Sequence, residues 1–479
     1  MVTKAIRDLR DGGAHPRTSA AGAAVEICRL EGFPDLLPLH DAHPGRYPCL
    51  LESVSHGTPS ARYDILFAAV DERLTLQRDG LTAHGIAAGG GADFLARLDH
   101  WWRQQRRPRD SSAALPFTGG WFVFLGYELA ARIEPRLAGL PPPDGDLPLA
   151  AAIRCPGALI RDHAAGCTYL VAESGHAGLS ARMLRDLAAG GVPAGAPEPA
   201  WNAALLEDEP GRFLSGVERI KRYIVDGDVF QVNLSRAWTG SIDPAVSDAA
   251  VYRRLRRSNP APFAAIARVD ATTIISSSPE RLFSVRGDRV ETRPIAGTHP
   301  RGTDPDSDAA LSRRLLQHPK ERAEHIMLID LERNDLGRVC RPGSVRVSEL
   351  MTLESYAHVH HIVSNVVGTL DGGATPGDVI RAVFPGGTIT GCPKIRCMEI
   401  IGEIEQCARG AYTGSIGYLD GNGNMDFNIL IRTLTRRGGH ITLRAGAGIV
   451  ADSEPERELA ETRAKARGLL RALAAEEGR

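Results

Sequence analysis

Two short acidic patterns offer the clearest chemistry in this chain. Glu321 and Glu324 in KERAEHIMLIDL, and Glu458 and Glu461 in PERELAETRAKARGLL, are each spaced i, i+3. On a helix that spacing puts both carboxylates on one face. Two such faces turned toward each other would offer hard oxygen donors, with positions left over for a substrate carboxylate and water, which suits Mg²⁺. Lys465 stands four residues beyond Glu461 and shares its face. The same spacing also decorates solvated helices, so the pairs define a candidate site and do not by themselves establish a metal.

Glycine supplies a second feature. FPGGTITGCPK (384–394, with Gly387) and RAGAGIV (444–450, with Gly446 and Gly448) can bring backbone amides close to a ligand, a common way to hold carboxylate or phosphate oxygens. Neither is a Walker loop, because Cys-Pro follows the last glycine of GGTITG where Lys-Ser/Thr would be required. Histidines cluster at His358, His360 and His361. On a strand the first two share a face and the third points away, so a three-histidine metal site is awkward, and a single functional or structural imidazole is the better reading. Arg432 lies in the apolar run FNILIRTL, where a guanidinium must find an anionic or carbonyl partner.

The elements that would position these groups are legible in outline. Ala, Gly and Pro crowd in 187–211, which marks the main internal boundary between regions 1–200 and 211–475, expected to pack as one compact unit. Phe213, Val217, Ile220, Tyr223 and Ile224 recur at helical spacing before an Asp226-Gly227 stop. Further helices are expected at 319–331, with Ile326, Leu328 and Ile329 inward, at about 394–406, and at 455–475 after Pro455. Strands fit TTIISSS, RLFSV, RVETRPI, HHIVSNVVGTL, YTGSIGYL, FNILIRTL and HITLRAGAGIV. Gly287-Asp288 suits a tight hairpin turn, and antiparallel pairing about it would bring Glu280 and Ala296 within about one register step on neighbouring strands. Strands mixed irregularly with helices predict an α+β fold, a compact layered sandwich.

Composition narrows the class of function. The 479 residues carry 57 Lys and Arg against 58 Asp and Glu, a net charge of -1, so no whole-molecule field favours nucleic acid or an anionic membrane. The eight cysteines form no C-x-x-C pair, which argues against structural zinc and a disulfide framework. The start, MVTKAIRDLRDGG, is charged, and no apolar run approaches ~20 residues; a cytoplasmic setting is expected.

The motifs, taken in order, resemble the chorismate-utilising enzymes: aminodeoxychorismate synthase component I, anthranilate synthase component I, and the isochorismate and salicylate synthases. From about 213 to 470 the likeness runs through GDVFQVNLSRAW, SSSPERLF, RPIAGTHPRG, ERAEHIMLIDLERNDLGRV, HHIVSNVVG, FPGGTITGCPKIRCMEII, YTGSIGYLDGNGNMDFNILIRTL and RAGAGIVADSEPERELAETRAKA. It is thinner before, at YPCLLESVSHG, ARYDILFA and PFTGGWFVFLGYE. The resemblance implies a four-layer α/β/β/α sandwich around one central cleft. It implies that Glu324 and Glu461 bind Mg²⁺ with Glu321 and Glu458 close by, and that Glu280 is the general acid protonating the departing C4 hydroxyl. Tyr412, Arg432, the Gly446–Gly448 turn and Lys465 match positions that hold the substrate's carboxylates, while Thr388 and His361 line the ring.

By the same resemblance, Gln231 stands where the water-using relatives have a base-forming lysine, which favours ammonia, supplied by a separate glutamine amidotransferase subunit. Ala296 stands where aminodeoxychorismate synthases commonly have a nucleophilic lysine and anthranilate synthases have alanine. QVNLS, SSSPERLF, FPGGTITG and ARYDILFA lie nearer to the aminodeoxychorismate synthases, so that activity is expected first and anthranilate synthase second. A silent chorismate- or tryptophan-binding protein would not need a leaving-group acid opposite a metal. Ser53 in LLES, with Ser60, Arg62, Tyr63, Pro262 and Phe263, matches positions around a tryptophan pocket in the family.

Overall fold

A computed structural model describes residues 24–55, 61–87, 89–108, 115–143, 145, 147–190, 201–301, 304–317, 319–355 and 359–474. Among them two antiparallel sheets, one of 12 strands and one of 11, pack face to face. The layer between them is apolar: Phe67, Ala265, Ala267 and Ile274 from the larger sheet meet Phe122, Phe124, Ile416 and Tyr418 from the smaller. Phe67 and Phe117 cross edge to face with ring centres 5.0 Å apart, the arrangement their quadrupoles favour. Each such ring taken fully from water contributes about 1.5–3 kcal/mol.

Helices cover both outer faces. On the larger sheet, Val251 and Leu255 of the helix Asp248–Ser258 and Leu469 and Leu473 of the helix Pro455–Leu473 pack on Ile266, Ile275 and Leu443. On the smaller sheet, Leu95 and Leu98 of Phe94–Gln105, Ile329 and Leu336 of Pro319–Gly337, and Val379 of Pro376–Val383 pack on Val123, Phe283 and Phe427. The result is the expected α+β sandwich in four layers. Both halves of the chain enter both sheets: Cys49–Glu52 pairs with Phe263–Val269 (Ala264↔Glu52) in one, and Gly120–Leu125 pairs with Ser415–Asp420 (Ser415↔Leu125) in the other.

The local signals place most elements. The helix Pro210–Val225 buries Phe213, Val217 and Ile220 and stops at Asp226, and the helix Lys394–Glu405 and the strands Val359–Thr369, Ser415–Asp420 and His440–Ile449 form where expected. Three expectations need correction. The helix expected at 319–331 continues to Gly337, and Ile326 points outward, 49% exposed. Its inward face is instead set by His325, Leu328, Ile329, Glu332 and Leu336, all buried, and Ile326 lies about 100° around the axis from His325.

FNILIRTL is not one strand. Met425–Asn428 belongs to the smaller sheet and Thr433–Arg437 to the larger, and the chain crosses between sheets over residues 429–432. Finally, the hairpin at Gly287-Asp288 forms with Ser284↔Glu291 and Arg286↔Arg289 paired, but its ladder does not extend to Glu280 and Ala296. Glu280 precedes the strand Arg281–Arg286, whereas Ala296 lies in Ile295–Pro300 and pairs with Ile362, because Pro294 interrupts the strand and cannot donate to a ladder.

Candidate active site

Between the sheets and the ends of two helices lies a cleft of about 1240 Å³. All four predicted metal ligands line it: Glu321 and Glu324 from the helix Pro319–Gly337, Glu458 and Glu461 from the helix Pro455–Leu473. Both helices begin at a proline, which presets φ at the start, and both carry a glutamate in the first turn, where the helix dipole favours it. So two elements more than a hundred residues apart bring their acidic faces to one cavity. Their donor set, carboxylate oxygens alone, fits a hard divalent cation. Among the described residues no three acidic, histidine or cysteine side chains are gathered closely enough to enclose an ion. Glu461 is instead paired with Lys465 (2.7 Å), whose Nζ also donates to the Gly446 carbonyl (3.0 Å), and Glu458 accepts from Ser453 Oγ (2.7 Å).

Glu280 is buried, 6% exposed, between Pro279, which lines the cleft, and the strand Arg281–Arg286, and it reaches the cleft wall through Thr388. Burial pushes its carboxyl up to about 7, against a hydrogen bond from Thr388 Oγ1 (2.8 Å) and the positive charges of Lys465 and Arg432, which pull it down. A carboxyl poised there can carry a proton at neutral pH and give it to a poor leaving group. Thr388 is fixed by the short turn Gly387–Ile389. A Cβ on Gly387 would come within 2.3 Å of a Leu331 methyl, so glycine lets this turn rest against the helix that carries Glu324 without displacing that side chain. Replacing Thr388 by valine should therefore raise the Glu280 pKa by about one unit, the worth of a hydrogen bond to a charged group. The pH profile of kcat/KM reads this as an alkaline limb displaced upward.

Arg432 lies in the crossover with φ +50 and, together with Thr413 at φ +60, keeps a left-handed backbone that costs a non-glycine residue about 1–3 kcal/mol. Its guanidinium borders the cleft, and burial lowers its pKa while Glu280 raises it. The expectation that Arg432 sits within a strand is thus replaced by a turn that aims it at the cleft. Tyr412 is buried beside Gly446, where an added Cβ would meet its hydroxyl at 2.8 Å. Gly448 lines the cleft, and a Cβ there would strike Gln231 Nε2 at 2.4 Å. Gln231, Thr388 and His361 also line the cleft; His361 is 3% exposed on its strand, paired with Thr298 and Glu354. His358, and the side chains of His360 and Ala296, lie outside the described residues.

Sequence reasoning missed two groups. Asn233, on the same face of the strand Gln231–Ser241 as Gln231, also lines the cleft; the two-residue period of a strand was the available signal. Glu332, buried behind Glu280, has its carboxyl pushed up to about 8 by burial and by Asp335, against the lowering charge of Lys394. Nothing local marks an acid in a helix as inward.

A second, smaller cavity of about 80 Å³ is lined by Ser53, Glu52, Tyr63, Pro262 and Phe263, and Pro262 is shared with the large cleft. Arg62 is held by Asp162 and stacks on Tyr63, and Ser60 lies outside the described residues. All eight cysteines are unpaired, and no helix among the described residues is long and apolar enough to cross a membrane.

The same fold is what comparison with known proteins returns. The chain belongs to the family of chorismate binding enzymes, whose profile matches residues 51–471. It is 42% identical over 441 residues to aminodeoxychorismate synthase component 1 of Bacillus subtilis (strain 168), spanning 89% of this chain and 92% of that protein. It is 38% identical over 460 residues to anthranilate synthase component 1 of Bacillus caldotenax, spanning 88% of each. The crystal structure of anthranilate synthase component I from Streptococcus pneumoniae TIGR4 matches with a TM-score of 0.76 at 30% identity, over 87% of this chain and 93% of that one. The family and fold expected from the motifs stand.

Proposed function

We propose that this chain is the aminating component of aminodeoxychorismate synthase, acting in the cytoplasm on chorismate with ammonia delivered by a glutamine amidotransferase subunit. One C–N bond forms and the C4–O bond breaks; the hydroxyl leaves as water with a proton from Glu280, and the incoming nitrogen gives up one proton, which restores the Glu280 carboxyl. The observation that supports the reading is Glu280: a buried carboxyl held by Thr388 (2.8 Å), raised to about 7, beside a cleft that Thr388 and Gln231 both line, Gln231 standing where the resemblance to the water-using relatives has a base. Lys465 and Arg432, which line the cleft, would hold the substrate's carboxylates together with Tyr412, a neutral donor because burial pushes its pKa up to about 12. Glu324 and Glu461, with Glu321 and Glu458 in support, would hold Mg²⁺, which when bound supplies Lewis acidity at the ring carboxylate.

A second reading, anthranilate synthase component I, is favoured by alanine at position 296. Chorismate, Mg²⁺ and ammonium at alkaline pH separate the two. A non-aromatic amino product that a lyase converts to p-aminobenzoate is expected, and fluorescent anthranilate released with pyruvate overturns the first reading. For the smaller cavity we infer a tryptophan pocket around Ser53, Tyr63, Pro262 and Phe263. Tryptophan should raise the wild-type melting temperature and leave Ser53→Phe unmoved; an equal shift in both removes the assignment.

A further inference from the structure

Among the described residues, two buried amide oxygens on residues of the cleft wall have no hydrogen-bond partner: Gln231 Oε1 and Asn233 Oδ1. Their residues are 9% and 7% exposed, both line the cleft, and both stand on one face of the strand Gln231–Ser241. An unsatisfied buried acceptor costs about 1–3 kcal/mol, so a pair of them side by side calls for a ligand that donates hydrogen bonds.

Their placement is fixed from behind. The strand pairs Asn233 with Gly448 and Gln231 with Cys392, and Asn233 N donates to Thr390 O (3.0 Å). The two glycines of the neighbouring strand leave room for these side chains: a Cβ at Gly448 would strike Gln231 Nε2 at 2.4 Å, and one at Gly446 would lie 2.8 Å from Asn233 Oδ1. The amides are thus packed against backbone on one side, and their residues form part of the cleft wall.

The reactants of the amination differ sharply in what they offer such a pair. Chorismate's carboxylates are acceptors and would be repelled. Ammonia has three N–H donors and one lone pair. Two neutral amide oxygens can take two N–H groups and leave the lone pair free to attack. Carboxylates in their place would favour ammonium, whose lone pair is already used.

We propose that Gln231 Oε1 and Asn233 Oδ1 together form the cradle that holds ammonia beside the ring, with Asn233 the second arm. The proposal rests on the amination reading above. The test is steady-state kinetics of the full chain at saturating Mg²⁺, with ammonium and chorismate varied separately. Asn233→Leu should raise KM for ammonium at least tenfold while KM for chorismate moves less than twofold. Asn233→Ser, which keeps an oxygen acceptor, should show a smaller rise, and thermal melts of both variants check the fold. An unchanged KM for ammonium in Asn233→Leu, with wild type aminating chorismate, sinks the cradle alone. A rise confined to KM for chorismate also overturns it, because the amides would then be receiving a substrate hydroxyl. Wild type that forms no carbon–nitrogen bond sinks the amination reading first and the cradle with it.

Discussion

Glu280→Gln is expected to lower kcat by about 10²–10⁴-fold while chorismate binding changes by no more than a few-fold. Glutamine keeps the shape of the side chain and an oxygen to accept from Thr388, but has no proton of the right acidity to give. The same replacement should stabilise the fold at and above neutral pH, because the acid is costly where it sits. Below pH about 4.5 the carboxyl is protonated in folded and unfolded chains alike. Between about 4.5 and 7 the unfolded chain releases the proton while burial keeps it on the folded one, so stability falls with rising pH; above about 7 the full difference persists. That difference is about 3 kcal/mol. Denaturant unfolding of wild type and Glu280→Gln should therefore coincide near pH 4 and diverge in favour of the variant by pH 8. A variant that turns over chorismate at the wild-type rate removes Glu280 from the acid's role. One that loses turnover without the pH-dependent gain would mean the carboxyl is better solvated than its 6% exposure implies.

The fold was written in local signals to the extent that each element's own residues decide it. Proline starts, an Asp-Gly stop and two-residue alternation located the helices and strands around the cleft. What the sequence could not carry was which sheet a strand joins. FNILIRTL has the composition of one strand, yet Asn428 and Thr433 belong to different sheets, and only the packing of the two layers makes the chain turn at Arg432. The misplacement of Ile326 has a related cause: the inward stripe of its helix is interrupted by His325, Glu332 and Asp335, so the apolar period gives the wrong phase. His325 Nε2 is bonded to Ser364 (2.7 Å) and Asp335 is paired with Lys394, partners that come from distant strands and helices. Within the candidate site, type and spacing single out the glutamate pairs, the glycine turns and Arg432, the family resemblance alone supplies Glu280 and Tyr412, and Asn233, a neutral side chain beside Gln231, carries no signal of its own beyond the strand period.

Glu461→Ala is expected to weaken the Mg²⁺ requirement's affinity at least tens-fold, or to abolish activity, with little change in stability. The stability side follows from exposure: the Glu461 and Lys465 side chains are 49% and 42% exposed, and a solvated i, i+4 pair contributes well under 1 kcal/mol. That same weakness lets Glu461 leave Lys465 for a cation, since strong hydration screens the pair it would abandon. Lys465 keeps a second partner in the Gly446 carbonyl, so it need not move when the carboxylate turns away. The effect on the metal is larger because Glu461 is one of only two carboxylates its helix gives to the cleft, the other being Glu458, which is already engaged by Ser453. Losing even an outer-shell partner of a metal commonly costs 10–100-fold, and a direct ligand costs no less. Glu456→Ala, on the same first turn but exposed and off the cleft, should leave the titration unchanged and serves as the control. If rate against Mg²⁺ is superimposable for wild type, Glu461→Ala and Glu456→Ala, the cation sits elsewhere and the four-glutamate assignment falls.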